Sequence, residues 1–245
     1  LYYLLLLLLL NYPVANAQDI TPAPPGYDVE QSLIPHGALD TITYKSKTVG
    51  TNRRALIYTP PGYSKDKKYP VLYLLHGGGG DEDTWSTLGR ACQIMDNLLA
   101  MGKATPMIVV MTNGNVSQEA APGNGIQGFV KPTFMLPHTM DGKFEETFID
   151  VMTFVKDNYR TTETKEGRAI AGLSMGGFHT ANISMYYPNT FDYIGLFSSA
   201  LGVRPMGTAA SPVYQNVDEK LKQQMDNGYK LYWMGMGVDD MPMID

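Results

Sequence analysis

A single cysteine, Cys92, excludes any disulfide within the chain. It falls in a stretch with helical spacing of apolar residues, where a thiol serves as a small buried hydrophobe. The four histidines form no H-E-x-x-H pattern and no His/Cys cluster, so neither a metal site nor a cofactor is expected. Asp81-Glu82-Asp83 reads as a helix-initiating acidic turn rather than as metal ligands. Lys and Arg are outnumbered 19 to 24 by Asp and Glu and are scattered, which gives no nucleic-acid footprint. No apolar run approaches the roughly 20 residues of a membrane span, so no membrane anchor is expected. What remains is an ordinary globular composition, 44% hydrophobic and 18% charged over 245 residues, enough for one α/β domain with a full core.

The ends carry separate signals. Leu1 to Leu10 is almost wholly apolar, and Ala15-Asn16-Ala17 follows before Gln18. An apolar segment closed by A-x-A is expected to be a signal peptide over residues 1–17, without its charged start, and the protein to be secreted or periplasmic. The chain opens on Leu1 rather than Met and stops at Asp245, and it reads as a piece cut at both ends. Residues 18–37, with Pro22, Pro24, Pro25 and Gly26, read as an extended arm, and 38–245 as the folded domain.

Within the domain, Leu39 to Val49 and Asn52 to Thr59 read as a hairpin turning at Gly50-Thr51. Tyr69 to Leu75 and Pro106 to Met111 are continuous apolar runs, as expected of strands buried on both faces of a parallel sheet. Between them, Leu88, Ala91, Ile94, Met95, Leu98 and Leu99 mark one helix closed by Gly102. Phe144 to Tyr159 is an amphipathic helix, with Glu145 and Glu146 favouring its N-terminal dipole. Strand Phe191 to Phe197, helix Val217 to Asn227 and strand Tyr229 to Met236 complete an α/β sandwich with a mostly parallel sheet. The segment between Thr112 and Lys143 is long and Gly/Pro-rich, and such loops shape clefts. From it Phe129, Phe134, Met135 and His138 are candidates to line the cleft, with packing under the loop the alternative.

Chemistry concentrates at the strand ends. Ala169-Ile170-Ala171 runs into Gly172-Leu173-Ser174-Met175-Gly176, a G-x-S-x-G pattern between a strand and a helix spanning Gly177 to Tyr187. The turn lifts the Ser174 hydroxyl out of the sheet at a helix N-terminus, which suits a nucleophile, and the Met175 N–H is one expected oxyanion donor. Four successive glycines, Gly77 to Gly80, follow His76 at the end of the Tyr69–Leu75 strand. A turn able to aim a backbone N–H at a ligand explains them, with Gly78 as the second donor. His76 precedes that turn and reads as structural more than catalytic, though it joins Trp85, Phe134 and His138 among the cleft candidates. The orienting acid should follow the serine, which selects Asp240, with Asp239 as second choice. His36, His76, His138 and His179 all precede these acids, and His179 is only five residues beyond Ser174 on the same helix. His138 alone of the four could reach the cleft and is the alternative base; the catalytic histidine is expected beyond the chain end, and the piece by itself is expected to be inactive and poorly folded.

Three stretches together resemble the putative esterase family that includes feruloyl esterases, acetylxylan esterases, esterase D-like proteins and mycolyltransferases. They are Tyr69 to Trp85, Arg168 to Gly177, and Met236 to Asp240. The arm residues Ile34-Pro35-His36-Gly37 also look like those of secreted xylan-degrading esterases. The resemblance implies an α/β-hydrolase fold, an incomplete Ser174–Asp240–His triad and an oxyanion hole from Gly78 and Met175. It implies a carboxylic-ester hydrolase acting on ester-decorated carbohydrate such as xylan, or on a small aromatic ester. An acyltransferase on the same machinery, and a non-catalytic carbohydrate-binding domain, are the alternatives.

Overall fold

The computed structural model describes residues 22–116, 139–199, 211–237 and 240. The expected signal peptide, Phe129, Phe134, Met135, His138 and Asp239 lie outside the described residues. Seven strands form one sheet: β1 Ala38–Lys45, β2 Asn52–Thr59, β3 Val71–Leu75, β4 Ile108–Thr112, β5 Arg168–Leu173, β6 Tyr193–Phe197 and β7 Leu231–Gly235. Their order is β1-β2-β4-β3-β5-β6-β7, with β1 and β2 antiparallel and β4 through β7 all parallel. Among the described residues the longer helices are α1 Ala91–Ala100, α2 Lys143–Asn158, α3 Met175–Tyr186 and α4 Val217–Asn227, with a single helical turn at Thr84–Thr87 before α1. No helix among the described residues is long and apolar enough to cross a membrane.

The strand sequences explain the layering. Side chains alternate faces, and in β4 both sets are apolar. Ile108 and Val110 enter one core with Ile57, Tyr73, Ile170 and Leu196, which Phe148, Val151 and Val155 of α2 and Ile183 of α3 complete. Val109 and Met111 enter a second core on the opposite face with Leu56, Tyr58 and Leu74, under Ala91 and Met95 of α1. This is the expected three-layer arrangement with an antiparallel hairpin at one edge.

Two local readings are corrected. β1 ends at Lys45 rather than Val49, because the turn already begins at Ser46, whose N–H donates to the Thr51 carbonyl (2.9 Å) and whose carbonyl accepts from the Gly50 N–H (3.0 Å); Asp150 of α2 holds this turn by accepting from the Ser46 hydroxyl (2.6 Å) and the Thr48 N–H (3.0 Å). The helix expected to run unbroken from Leu88 is interrupted at Arg90, whose φ of 49° takes it into the left-handed region, and Leu88 stays exposed. Arg90 there donates from Nε to the Asp28 carbonyl at 2.8 Å. Asn97 donates to the Tyr27 and Val29 carbonyls, and Asp96 accepts from the Gly37 N–H and the Tyr58 hydroxyl and meets His36 Nδ1 at 3.0 Å. The described part of the arm is thus fastened along α1.

The chain crosses from β3 to β4 on one side and returns past β3 to β5 on the other. β3 and β5 are therefore neighbours from which the chain leaves in different directions, the place where open α/β sheets form a crevice.

Candidate active site

Ser174 sits where β5 passes directly into α3, with φ 53° and ψ −113°. A non-glycine residue pays of order 1–3 kcal/mol for such a conformation, which persists only where its surroundings impose it. Here the Ser174 N–H donates to the Phe197 carbonyl at 2.9 Å, and its own carbonyl accepts from the Phe178 N–H at 3.1 Å. Gly172 and Gly176 make the turn possible. A Cβ on Gly172 would collide with the Gly176 backbone, and one on Gly176 with the backbone of Leu75 and His76. Unlike an ordinary serine at a helix start, Ser174 makes no side-chain cap bond, so its half-buried hydroxyl is not spent on its own helix.

The glycine run lies beside this turn because Leu75 pairs in register with Gly172. The Gly80 N–H donates to the Gly77 carbonyl at 3.1 Å, and Gly79 takes φ 84°, which closes a tight turn that only glycine makes without strain. A Cβ built on Gly77 would stand 3.6 Å from Ser174 Cβ, so the turn packs directly on the serine. His76 braces it. Its ring is 2% exposed, Nδ1 donates to the Gly77 carbonyl at 2.8 Å, and Nε2 accepts from the Gly114 N–H at 2.8 Å. Burial pulls its pKa down to about 4, which fits the neutral tautomer these two bonds require. With both nitrogens committed, His76 supports the turn rather than facing a substrate.

A buried polar network extends that support, built from residues whose local sequence carries no sign of burial. Glu82, expected to belong to a helix-initiating acidic turn, is 1% exposed. It accepts from Asn113 Nδ2 at 2.8 Å and pairs with Arg54 at 2.5 Å. Arg53, fully buried, donates to the carbonyls of Asn113 (2.5 Å) and Asn115 (3.0 Å) and to the Thr147 hydroxyl (3.2 Å). The turn after β3 is thereby tied to the end of β4 and to β2. Glu145 stands in the first turn of α2 as expected, but it is buried and meets His179 Nδ1 at 2.9 Å. A charge at the start of an amphipathic helix gives no local sign of facing inward, so only its distant partner could have revealed it.

Asp81 differs from Glu82. Its Oδ1 accepts from the Asp83 N–H (3.0 Å) and the Thr84 hydroxyl (3.3 Å), but Oδ2 is buried without a hydrogen-bond partner among the described residues. Burial, with Glu82 and Asp83 adding to it, raises its pKa to about 6. A carboxyl that holds its proton more tightly folded than unfolded weakens stability as pH rises from about 4 to 6, and the full cost is present above that. Asp81→Asn should therefore raise Tm by about 2–4 °C at pH 7.5 and leave it nearly unchanged at pH 4. A thermal melt at the two pH values checks this; an equal gain at both would refute it.

Asp240 lies beyond the end of β7, two strands from β5. Its Oδ2 accepts from the Ser198 hydroxyl and from the Gly237 N–H at 2.9 Å, and these donors hold its carboxyl below the usual range. It connects to the Ser174 turn through β6, since Phe197 accepts from Ser174 and Ser198 is the next residue. The described histidines are elsewhere: His36 against Asp96, His76 under the glycine turn, and His179 against Glu145. Trp85 is half-buried and packs 6.2 Å from Phe197, which lies 5.1 Å from Trp233, so its ring joins the α1 layer to the sheet near the site. No group of His, Cys, Asp and Glu among the described residues could hold a metal ion.

Comparison with known proteins follows this geometry. Residues 46–243 match the family model described as "Putative esterase". An endo-1,4-beta-xylanase/feruloyl esterase of Xylanibacter ruminicola is 38% identical over 171 residues, 67% of this chain and 22% of that protein. Esterase Rv1288 of Mycobacterium tuberculosis is 33% identical over 153 residues, 60% of this chain and 29% of that protein. The chain thus spans under a third of the length of these curated relatives. Among solved structures, a CE1 ferulic acid esterase from Anaeromyces mucronatus, determined with ferulic acid, superposes with a TM-score of 0.65 at 25% identity, covering 93% of each chain.

Proposed function

Because the chain belongs to the putative esterase family and has its α/β-hydrolase fold, we propose that it is a secreted serine esterase that removes feruloyl or acetyl groups from plant polysaccharide. The observation that carries this is Ser174, held at φ 53° on the N-terminus of α3 with its hydroxyl unspent and the glycine turn packed against it. The relative from Xylanibacter ruminicola is named for both xylanase and feruloyl esterase, and the Anaeromyces mucronatus enzyme binds ferulic acid, which supports an aromatic acyl group. The leader-like residues 1–17 support export.

In the proposed reaction Ser174 Oγ attacks the ester carbonyl carbon while its proton passes to a histidine base. The Gly78 and Met175 N–H groups receive the oxyanion; each such donor is worth about 10²–10³ in rate. The tetrahedral intermediate collapses, the C–O bond to the alcohol breaks, and the alcohol leaves with the proton. Water, deprotonated by the same base, then attacks the acyl-enzyme and releases the acid. Asp240 orients the base. His36, His76 and His179 are each committed to other partners, which leaves the base to a histidine outside the described residues.

The test is hydrolysis of methyl ferulate by the full-length protein, read as ferulate release by chromatography. A kcat of about 1–10³ s⁻¹ is expected. Failure to hydrolyse both methyl ferulate and 4-nitrophenyl acetate, with retained binding to arabinoxylan, would instead identify a carbohydrate-binding domain.

A further inference from the structure

We propose that Ser198 is a positioning residue for the catalytic acid, its hydroxyl fixing Asp240 by one carboxylate oxygen so that the other is presented to the base. This rests on the assignment of Asp240 as the acid.

Asp240 is on the surface, where no packing fixes its rotamer. Its direction must come from hydrogen bonds. Among the described residues both its donors, the Ser198 hydroxyl and the Gly237 N–H, go to Oδ2, which leaves Oδ1 for a partner. Two donors on one oxygen fix the carboxylate plane, and an acid that orients a base within tenths of an ångström needs such support.

The backbone of Ser198 is held for this task. Its φ is 41°, in a region a serine seldom occupies. The conformation is imposed from both sides. The Ser198 N–H donates to the Gly235 carbonyl at 2.7 Å, continuing the β6–β7 ladder one step past its last pair, Phe197 with Gly235. The preceding carbonyl, Phe197, is occupied by the Ser174 N–H at 2.9 Å. One short segment therefore grips the nucleophile turn through its backbone and the acid through its side chain, and it sets the distance between them. A strand end with no such role would take glycine or asparagine at this φ and avoid the strain.

The strain also provides the test, because glycine accepts φ 41° while removing the hydroxyl. We would measure kcat, KM and Tm of the full-length enzyme on 4-nitrophenyl acetate for Ser198→Ala, Ser198→Gly, Asp240→Asn and each Ser198 change combined with Asp240→Asn. Loss of one charge-assisted bond should lower kcat about tenfold in both Ser198 variants with KM unchanged within about twofold. Ser198→Gly should keep or raise Tm, which separates the loss of activity from loss of fold. Asp240→Asn alone should cost about 10⁴ in kcat, and adding either Ser198 change to it should cost less than about twofold more. A kcat within about twofold of wild type in Ser198→Gly, or the same tenfold loss in the Asp240→Asn background, would overturn the proposal while leaving the acid in place. If Asp240→Asn alone keeps more than about a tenth of wild-type kcat, the acid is another residue and both assignments fall.

Discussion

Replacing Ser174 with alanine should lower kcat for methyl ferulate by about 10⁶, with the fold intact. The size of the effect follows from the site. The serine hydroxyl is the only atom proposed to bond covalently to the substrate, so the variant keeps only what the oxyanion donors and binding contribute. The fold should survive because the turn is held by backbone bonds, Ser174 N–H to Phe197 and Phe178 N–H to Ser174, and because the hydroxyl makes no cap bond to lose. Alanine must still adopt φ 53°, so a stability loss of about 1 kcal/mol is the most expected. Kinetics on a sensitive fluorogenic acetate, with a melt to confirm folding, give both numbers. A loss of less than about 10³ would mean that another group attacks the ester.

Gly176→Ala should damage both stability and turnover, by a different route and with a smaller loss of kcat. Its added methyl would run into the backbone carbonyls of Leu75, which pairs with Thr112 and Gly172 on either side at the end of β3, and of His76, the next residue. Relief requires α3 to move off the end of β3, which separates the Ser174 turn from the glycine turn beside it. Overpacking against fixed backbone costs about 3 kcal/mol. A displacement of about 1 Å between nucleophile and oxyanion donors costs on the order of 10² in kcat. Urea unfolding and kcat should both show the loss. Gly77→Ala is the contrast, since its methyl would meet nothing nearer than 3.5 Å and the protein should unfold at the wild-type urea concentration. Equal unfolding midpoints for the two variants would show that helix and strand are not in the tight contact described.

The parts of this site that were legible in sequence are the parts whose causes are local. The strand, turn, glycines and helix around Ser174 lie within eleven residues, each stating its own requirement, and α4 runs over Val217–Asn227 as its spacing implied. The parts that were not legible depend on partners far along the chain. Arg53 reaches Asn113 across 60 residues, Asn113 reaches Glu82 across 31, Glu145 reaches His179 across 34, and Ser198 reaches Asp240 across 42. Even the turn after β1 is held by Asp150, 104 residues from Ser46. A charged residue in a polar-looking stretch carries no mark of being buried, because burial becomes tolerable only when tertiary structure supplies the counter-group.

The most direct measurement of the central claim, that Ser174 is the nucleophile of an esterase, is covalent capture. The full-length protein is treated with a fluorophosphonate probe, digested and mapped by mass spectrometry. A single adduct on Ser174, lost in Ser174→Ala and blocked by prior incubation with methyl ferulate, is the result expected. An adduct on another residue, or none in a preparation that still releases ferulate, would contradict it.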